Sequence, residues 1–123
     1  MDKEEMFRIY RQRKNFRKVD GLRLEGANPL CGDSFALSIK VKKGVIKDVG
    51  IEGSGCMLSS VSASLLAEYL KGKKVEEAKK LKEDDMYRIV GIDMSHNPVR
   101  AKCLLLPLHI LKTMGMNNNY EKN

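Results

Sequence analysis

Apolar and polar positions change period several times along the chain, and each change marks an element. Over residues 3–18, Met6, Ile9, Tyr10, Arg13 and Phe16 recur at helical spacing, which predicts an amphipathic helix ended by Asp20-Gly21. Leu22 and Leu24 then alternate with Arg23 and Glu25 as in a short edge strand, and Gly26-Ala27-Asn28-Pro29 reads as a turn. Phe35, Leu37, Ile39 and Val41 alternate with Ala36, Ser38 and Lys40, predicting a strand with one buried face. Lys42-Lys43-Gly44 turns the chain into a return strand over residues 45–52, with Val45, Val49 and Ile51 on one face.

Gly53-Ser54-Gly55 reads as a tight loop before a helix over 57–71, whose stripe is Leu58, Val61, Leu65 and Tyr69. Small residues from Ser59 to Ser64 leave room for another backbone, and Gly72 closes the helix. Two short helices follow over 75–80 and 83–90. Ser95 or Asn97 caps a last helix with Pro98 in its first turn, running to Gly115. An interior proline removes a hydrogen bond and clashes with the preceding turn, so Pro107 predicts a bend near residues 103–107. These elements make one α+β domain over residues 1–115, a small antiparallel sheet (hairpin plus edge strand) packed against several helices. Residues 116–123 read as a flexible polar tail.

Composition narrows the setting. The 123 residues suit a single domain, and no apolar run approaches a membrane span. The charged opening Met1-Asp2-Lys3-Glu4-Glu5 has no apolar stretch behind it, unlike a secretory signal, so a cytoplasmic protein is expected. The net charge is +7, and seven basic residues fall in the first twenty. They read first as a solvated helix face. No aromatic-interleaved basic motif is present, which argues against a nucleic-acid partner.

The three cysteines are not spaced as a zinc finger or a CxxC pair, and in such a chain they read as ligands or reactive thiols. A hairpin turn centred near Lys43 brings the loop before the first strand beside the loop after the second. Cys31-Gly32-Asp33 then faces Ser54-Gly55-Cys56. Cys56 also begins a helix, where amide N–H groups and the helix dipole favour thiolate. Gly53 and Gly55 would let a bulky inorganic group approach the backbone. Cys31 and Asp33, two apart, can point the same way in an extended segment. Cys103 shares an apolar stripe with Val99, Leu106 and Ile110, which leaves it as a core cysteine or a ligand. Asp33 by itself is equally ordinary turn chemistry. His96 reads as a solvated loop residue and His109 as a packing residue.

The motifs Asn28-Pro29-Leu30-Cys31-Gly32-Asp33, Gly53-Ser54-Gly55-Cys56, Lys71-Gly72-Lys73 and Pro98-Val99-Arg100-Ala101-Lys102-Cys103 occur in order over residues 4–115. The chain thereby resembles the NifU N-terminal, IscU and SufU family of iron–sulfur cluster assembly scaffolds, with a SufE/NifU-like fold. The resemblance implies that Cys31, Asp33, Cys56 and Cys103 converge to hold a [2Fe–2S] cluster, or Zn2+ in its place. Cys31 or Cys103 would accept sulfur from a cysteine desulfurase of the IscS or SufS type, and Asp33 would ease cluster release to apo iron–sulfur acceptor proteins. Assembly as a homodimer or trimer is compatible with it.

The subfamily signals are mixed. IscU-type chains have histidine before the third cysteine and a Leu-Pro-Pro-Val-Lys segment, where this chain has Lys102 and His96-Asn97-Pro98-Val99-Arg100. SufU-type chains usually carry an insertion between the second and third cysteines, which the short Cys56–Cys103 interval lacks. Two roles are therefore expected, a cluster scaffold or a SufU-like zinc-dependent sulfurtransferase. The basic N-terminal helix would dock on an acidic face of the desulfurase.

Overall fold

A computed structural model describes residues 1–116; of the tail expected over residues 116–123, all but Met116 lies outside them. The chain forms α1 (Lys3–Gln12), β1 (Leu22–Asn28), β2 (Asp33–Lys42), β3 (Val45–Ser54), α2 (Met57–Leu70), α3 (Val75–Lys79), α4 (Glu83–Val90) and α5 (Pro98–Lys112), then a short 3-10 turn, Thr113–Met116. The three strands are antiparallel in the order β1-β2-β3. This is the expected α+β class. No helix among the described residues is long and apolar enough to cross a membrane.

The core lies between one face of the sheet and the helices. Leu37, Ile39, Ile51, Leu66, Leu70, Met86, Leu104 and Leu108 are almost wholly buried there. The α2 helix runs through the middle and is buried nearly all round, so its serines do work that an apolar stripe would not predict. Ser62 Oγ donates to the Leu104 carbonyl at 2.5 Å and Ser64 Oγ to the Lys14 carbonyl at 2.9 Å. Of the expected stripe, Leu58 and Val61 are buried, whereas Leu65 is half-buried and Tyr69 is 41% exposed.

The α1 helix is shorter than its periodicity predicts. It stops at Gln12 because Arg13 and Asn15 take the left-handed region, with φ of 47° and 72°. Asn15 tolerates that conformation and is held in it from several sides. Its carbonyl accepts the Ile51 N–H at 2.8 Å, its Nδ2 donates to the Ser64 carbonyl at 3.3 Å, and its Oδ1 accepts from Lys71 Nζ at 2.5 Å. The following residues run along β3 and the outer sheet face, where the Val19 N–H reaches Ser38 Oγ at 3.0 Å. Residues 72–75 cover the start of the β3 edge, with Gly72 N–H to the Ile46 carbonyl and Ile46 N–H to the Lys73 carbonyl, both 2.8 Å. A sheet edge left open would template association, and here the chain's own loops satisfy it.

The β1 strand continues through the expected 26–29 turn, since Gly26, Ala27 and Asn28 pair with Phe35, Ser34 and Asp33. Gly26 is needed there because a Cβ would sit 2.5 Å from Ile110 Cγ1 on α5. The β2–β3 turn is Lys43-Gly44, both at positive φ as a two-residue hairpin prefers. A register irregularity at Lys40/Val41 moves the pairing on, so that Ser34 faces Ser54 and Phe35 faces Gly53. Pro107 lies buried inside an unbroken α5. The helix does not stop at Pro107, and the Ser62 hydroxyl bonds the Leu104 carbonyl close to the hydrogen bond that Pro107 cannot supply. Asn97, not Ser95, caps α5, its Oδ1 accepting the Arg100 N–H at 3.2 Å.

Candidate functional site

Three elements deliver the predicted residues to the open end of the hairpin. Cys31 sits in the tight turn between β1 and β2, Asp33 opens β2, Cys56 is the N-cap of α2, and Cys103 lies in the second turn of α5. One donor atom each from Cys31, Asp33 and Cys103 lie within 4.8 Å of one another. The two sulfurs are 3.4 Å apart. Cys56 joins from the other side, with its Sγ 3.6 Å from Asp33 Oδ2. All four residues therefore converge, in two close pairs: Cys31 with Cys103, and Asp33 with Cys56.

Exposure divides the site. Cys31 and Cys56 are exposed, Cys103 is 7% exposed and Asp33 only 2%. A carboxylate so buried needs partners, and Asp33 Oδ1 accepts the Cys56 N–H at 2.9 Å. The Cys56 sulfur accepts the Ser59 N–H at 3.4 Å, acting as a helix cap in place of the usual hydroxyl or carboxylate. Burial, with Cys31 and Cys56 close by, pushes the Cys103 thiol up to about 12. Without a cation beside it Cys103 keeps its proton at neutral pH, and binding a metal must release that proton.

Several expectations need correction. Gly53 and Gly55 do not open the backbone to an inorganic group. Gly53 belongs to β3 at φ 116°, and a Cβ there would meet the Ser34 carbonyl oxygen at 2.2 Å. A Cβ on Gly55 would meet Ser59 Oγ at 2.5 Å and the Phe35 ring at 2.8 Å. Both glycines let the strand ends and α2 pack on each other, and so aim Cys56. The apolar stripe assigned to Cys103 breaks at Val99, which is 63% exposed, because α5 emerges from the core at this end. His96 is an exposed loop residue, as expected. His109 is exposed rather than packed, with Nε2 3.4 Å from Glu83 Oε2.

Sequence reasoning missed Asn28 as a positioning residue. It is 7% exposed, and its Nδ2 donates to Cys31 Sγ at 3.4 Å while its carbonyl accepts the Cys31 and Gly32 N–H groups. The available signal was an asparagine three residues before the cysteine, where an Asx turn can fold back. An apolar groove of about 980 Å3 also opens beside the site, with Met6, Phe7, Met57, Ile92 and Met94 in its wall next to Cys56.

Known proteins bear on this geometry. A family model described as the NifU-like N terminal domain matches residues 3–117. The iron–sulfur cluster assembly scaffold protein IscU of Thermotoga maritima is 37% identical, over 84% of each chain. The zinc-dependent sulfurtransferase SufU of Bacillus subtilis is 30% identical, over 71% of this chain and 69% of its own. Among solved structures, a candidate SUF-system scaffold from Fervidobacterium islandicum AW-1 superposes with a TM-score of 0.75 at 26% identity, covering 90% of this chain and 93% of that one. With the motifs, the α+β fold and the family match in agreement over almost its whole length, the chain belongs to the NifU-like N-terminal domain family.

Proposed function

We propose that this chain is an iron–sulfur cluster assembly scaffold that receives sulfur from a cysteine desulfurase, builds a [2Fe–2S] cluster on Cys31, Asp33, Cys56 and Cys103, and passes it to apo iron–sulfur proteins. The observation that carries the reading is the arrangement of donors in two pairs, Cys31/Cys103 at 3.4 Å and Asp33/Cys56 at 3.6 Å. Two ligands on one tetrahedral metal with bonds of about 2.3 Å stand about 3.8 Å apart. Each pair therefore matches two corners of one tetrahedral iron, and thiolates suit iron and sulfide.

Asp33 is the harder donor, which leaves one corner more labile. The prediction follows that Asp33→Ala holds its cluster several-fold longer and transfers it more slowly. Anaerobic transfer to an apo acceptor, followed by visible absorption, measures this; faster loss than wild type would sink the role. Exposure supports Cys31 as the sulfur acceptor, because a desulfurase persulfide must reach the thiol from outside.

A second reading, a zinc-dependent sulfur acceptor, is favoured by the compact trio of donors within 4.8 Å. Such a trio suits one tetrahedral ion, with Cys56 completing the set. Anaerobic purification with metal and sulfide analysis separates the two. Stoichiometric iron and sulfide with visible bands supports the scaffold. One zinc per chain, with persulfide on Cys31 and no cluster after supplying iron and sulfur, supports the sulfurtransferase.

A further inference from the structure

Cys31 Sγ and Cys103 Sγ lie in contact at 3.4 Å, yet one thiol is exposed and the other 7% exposed. That asymmetry suits two different tasks. We propose that Cys103 is a resolving thiol that converts sulfane sulfur carried on Cys31 into hydrosulfide, leaving a Cys31–Cys103 disulfide. The inference rests on the reading of Cys31 as the sulfur acceptor.

The geometry supports each part. A disulfide bond is about 2.05 Å long, so the pair, 3.4 Å apart, must close by less than one such bond length. The movement falls on Cys31, which sits in a turn where the neighbouring Gly32 has no other atom within 4 Å of where a Cβ would be. Asn28 Nδ2 donates to Cys31 Sγ at 3.4 Å and orients that sulfur towards Cys103. On its other side the Cys103 thiol donates to the Val99 carbonyl at 3.7 Å, which anchors it within reach. Cys56 also lies beside Cys103, but its sulfur is held by the Ser59 N–H and by Asp33, whereas the Cys31 sulfur stands 3.4 Å from Cys103 in an open turn.

The step balances without an outside electron donor. Cys31 carries a persulfide anion and Cys103 a thiol. Cys103 Sγ attacks Cys31 Sγ while its proton passes to the departing terminal sulfur, so that no free Cys103 thiolate has to form first. The Cys31–Cys103 sulfur bond forms, the bond to the terminal sulfur breaks, and hydrosulfide leaves. The departing sulfur gains two electrons, supplied together by the two cysteine sulfurs. A dithiol reductant must then reopen the disulfide before the site can bind metal or accept sulfur again.

Metal-free protein, reduced and freed of reductant, would be mixed anaerobically with one equivalent of glutathione persulfide. Hydrosulfide would be measured and the products mapped by intact mass and peptide analysis. The expected result for wild type is about one hydrosulfide per chain, with the loss of two hydrogens and a Cys31–Cys103 cross-link. Cys103→Ser should instead gain one sulfur on Cys31 and release at least tenfold less hydrosulfide. Wild type sampled at short times should show one added sulfur on Cys31 and no added glutathione before the cross-link forms, which keeps the test readable if the variant folds poorly; added glutathione in place of that sulfur overturns the inference. Wild type that keeps its persulfide as long as Cys103→Ser, or a disulfide that maps to Cys56, overturns this inference and leaves Cys31 as acceptor. Sulfur that never appears on Cys31 in either protein overturns both.

Discussion

Asn28 answers for several hydrogen bonds at once. Its Oδ1 accepts the Leu30 N–H at 3.2 Å, its carbonyl takes the Cys31 and Gly32 N–H groups, and its amide nitrogen donates to the Cys31 sulfur. An alanine keeps the backbone bonds and loses both side-chain bonds. Outer partners of metal ligands typically contribute 10–100-fold in affinity, so Asn28→Ala should weaken zinc binding by about that factor, measured by competition with a chromophoric chelator. An affinity within twofold of wild type would show that Asn28 merely shapes the turn. Asp33 is similarly double. Its Oδ1 holds the Cys56 N–H at 2.9 Å and Asp33 itself is 2% exposed, so Asp33→Ala also strips a part-buried hydrogen bond of about 1–3 kcal/mol. Cluster lifetimes in that variant are therefore best compared at a temperature well below both melting points. Hairpin register made the meeting of Cys31 and Cys56 legible in the sequence, whereas Asp33 and Cys103 were legible mainly through the family motifs. Asn28 was not, because a side chain bonding a sulfur three residues on leaves no periodic trace.

Among the elements, the hairpin was the most legible, since its alternation and turn residues specify each other. The α1 helix was least so. Its apolar spacing continues to Phe16, but the tertiary bonds on Asn15 turn the chain out of the helix, and Phe16 instead meets the Phe35 ring edge-on at 6.4 Å. The 26–29 turn was misplaced for a similar reason: Gly26 marks a close approach to α5, not a bend. That contact gives a direct test of how β1, which leads into Cys31, is seated. Gly26→Ala places a methyl 2.5 Å from Ile110 Cγ1 and should cost about 1–3 kcal/mol by overpacking. Combining it with Ile110→Ala, which removes that carbon, should cost less than the sum of the two single changes. Strict additivity in urea unfolding would place the strain elsewhere.

Over the whole molecule, the +7 charge is unevenly available to a partner. Within the basic N-terminal stretch, Arg17 grips Asp48 at 2.8 and 2.9 Å, which holds that carboxyl below its usual range, and Lys14 pairs with Glu68 at 3.4 Å. The Arg17–Asp48 contribution is present at neutral pH and is lost as the pH falls through the lowered carboxyl pKa. Reversing Arg17 would therefore disturb the strap over the sheet as well as any docking. Arg8 and Arg11 are different: both are exposed and neither makes an ion pair among the described residues. They line one surface of α1 with Phe7, and Phe7 also lines the groove beside Cys56. Arg11 also stacks over the Phe7 ring at 5.6 Å, so the pair puts positive charge free of ion pairs on the helix beside the cysteines, where it can steer an acidic partner towards them. Arg8→Glu with Arg11→Glu should slow association with a cysteine desulfurase by about tenfold at low salt, and the difference should shrink as salt screens it. Zinc content and melting temperature should stay as in wild type, since neither arginine touches the site or the core. Stopped-flow association at several ionic strengths measures this, and a rate that does not depend on these two charges would move the docking surface off α1.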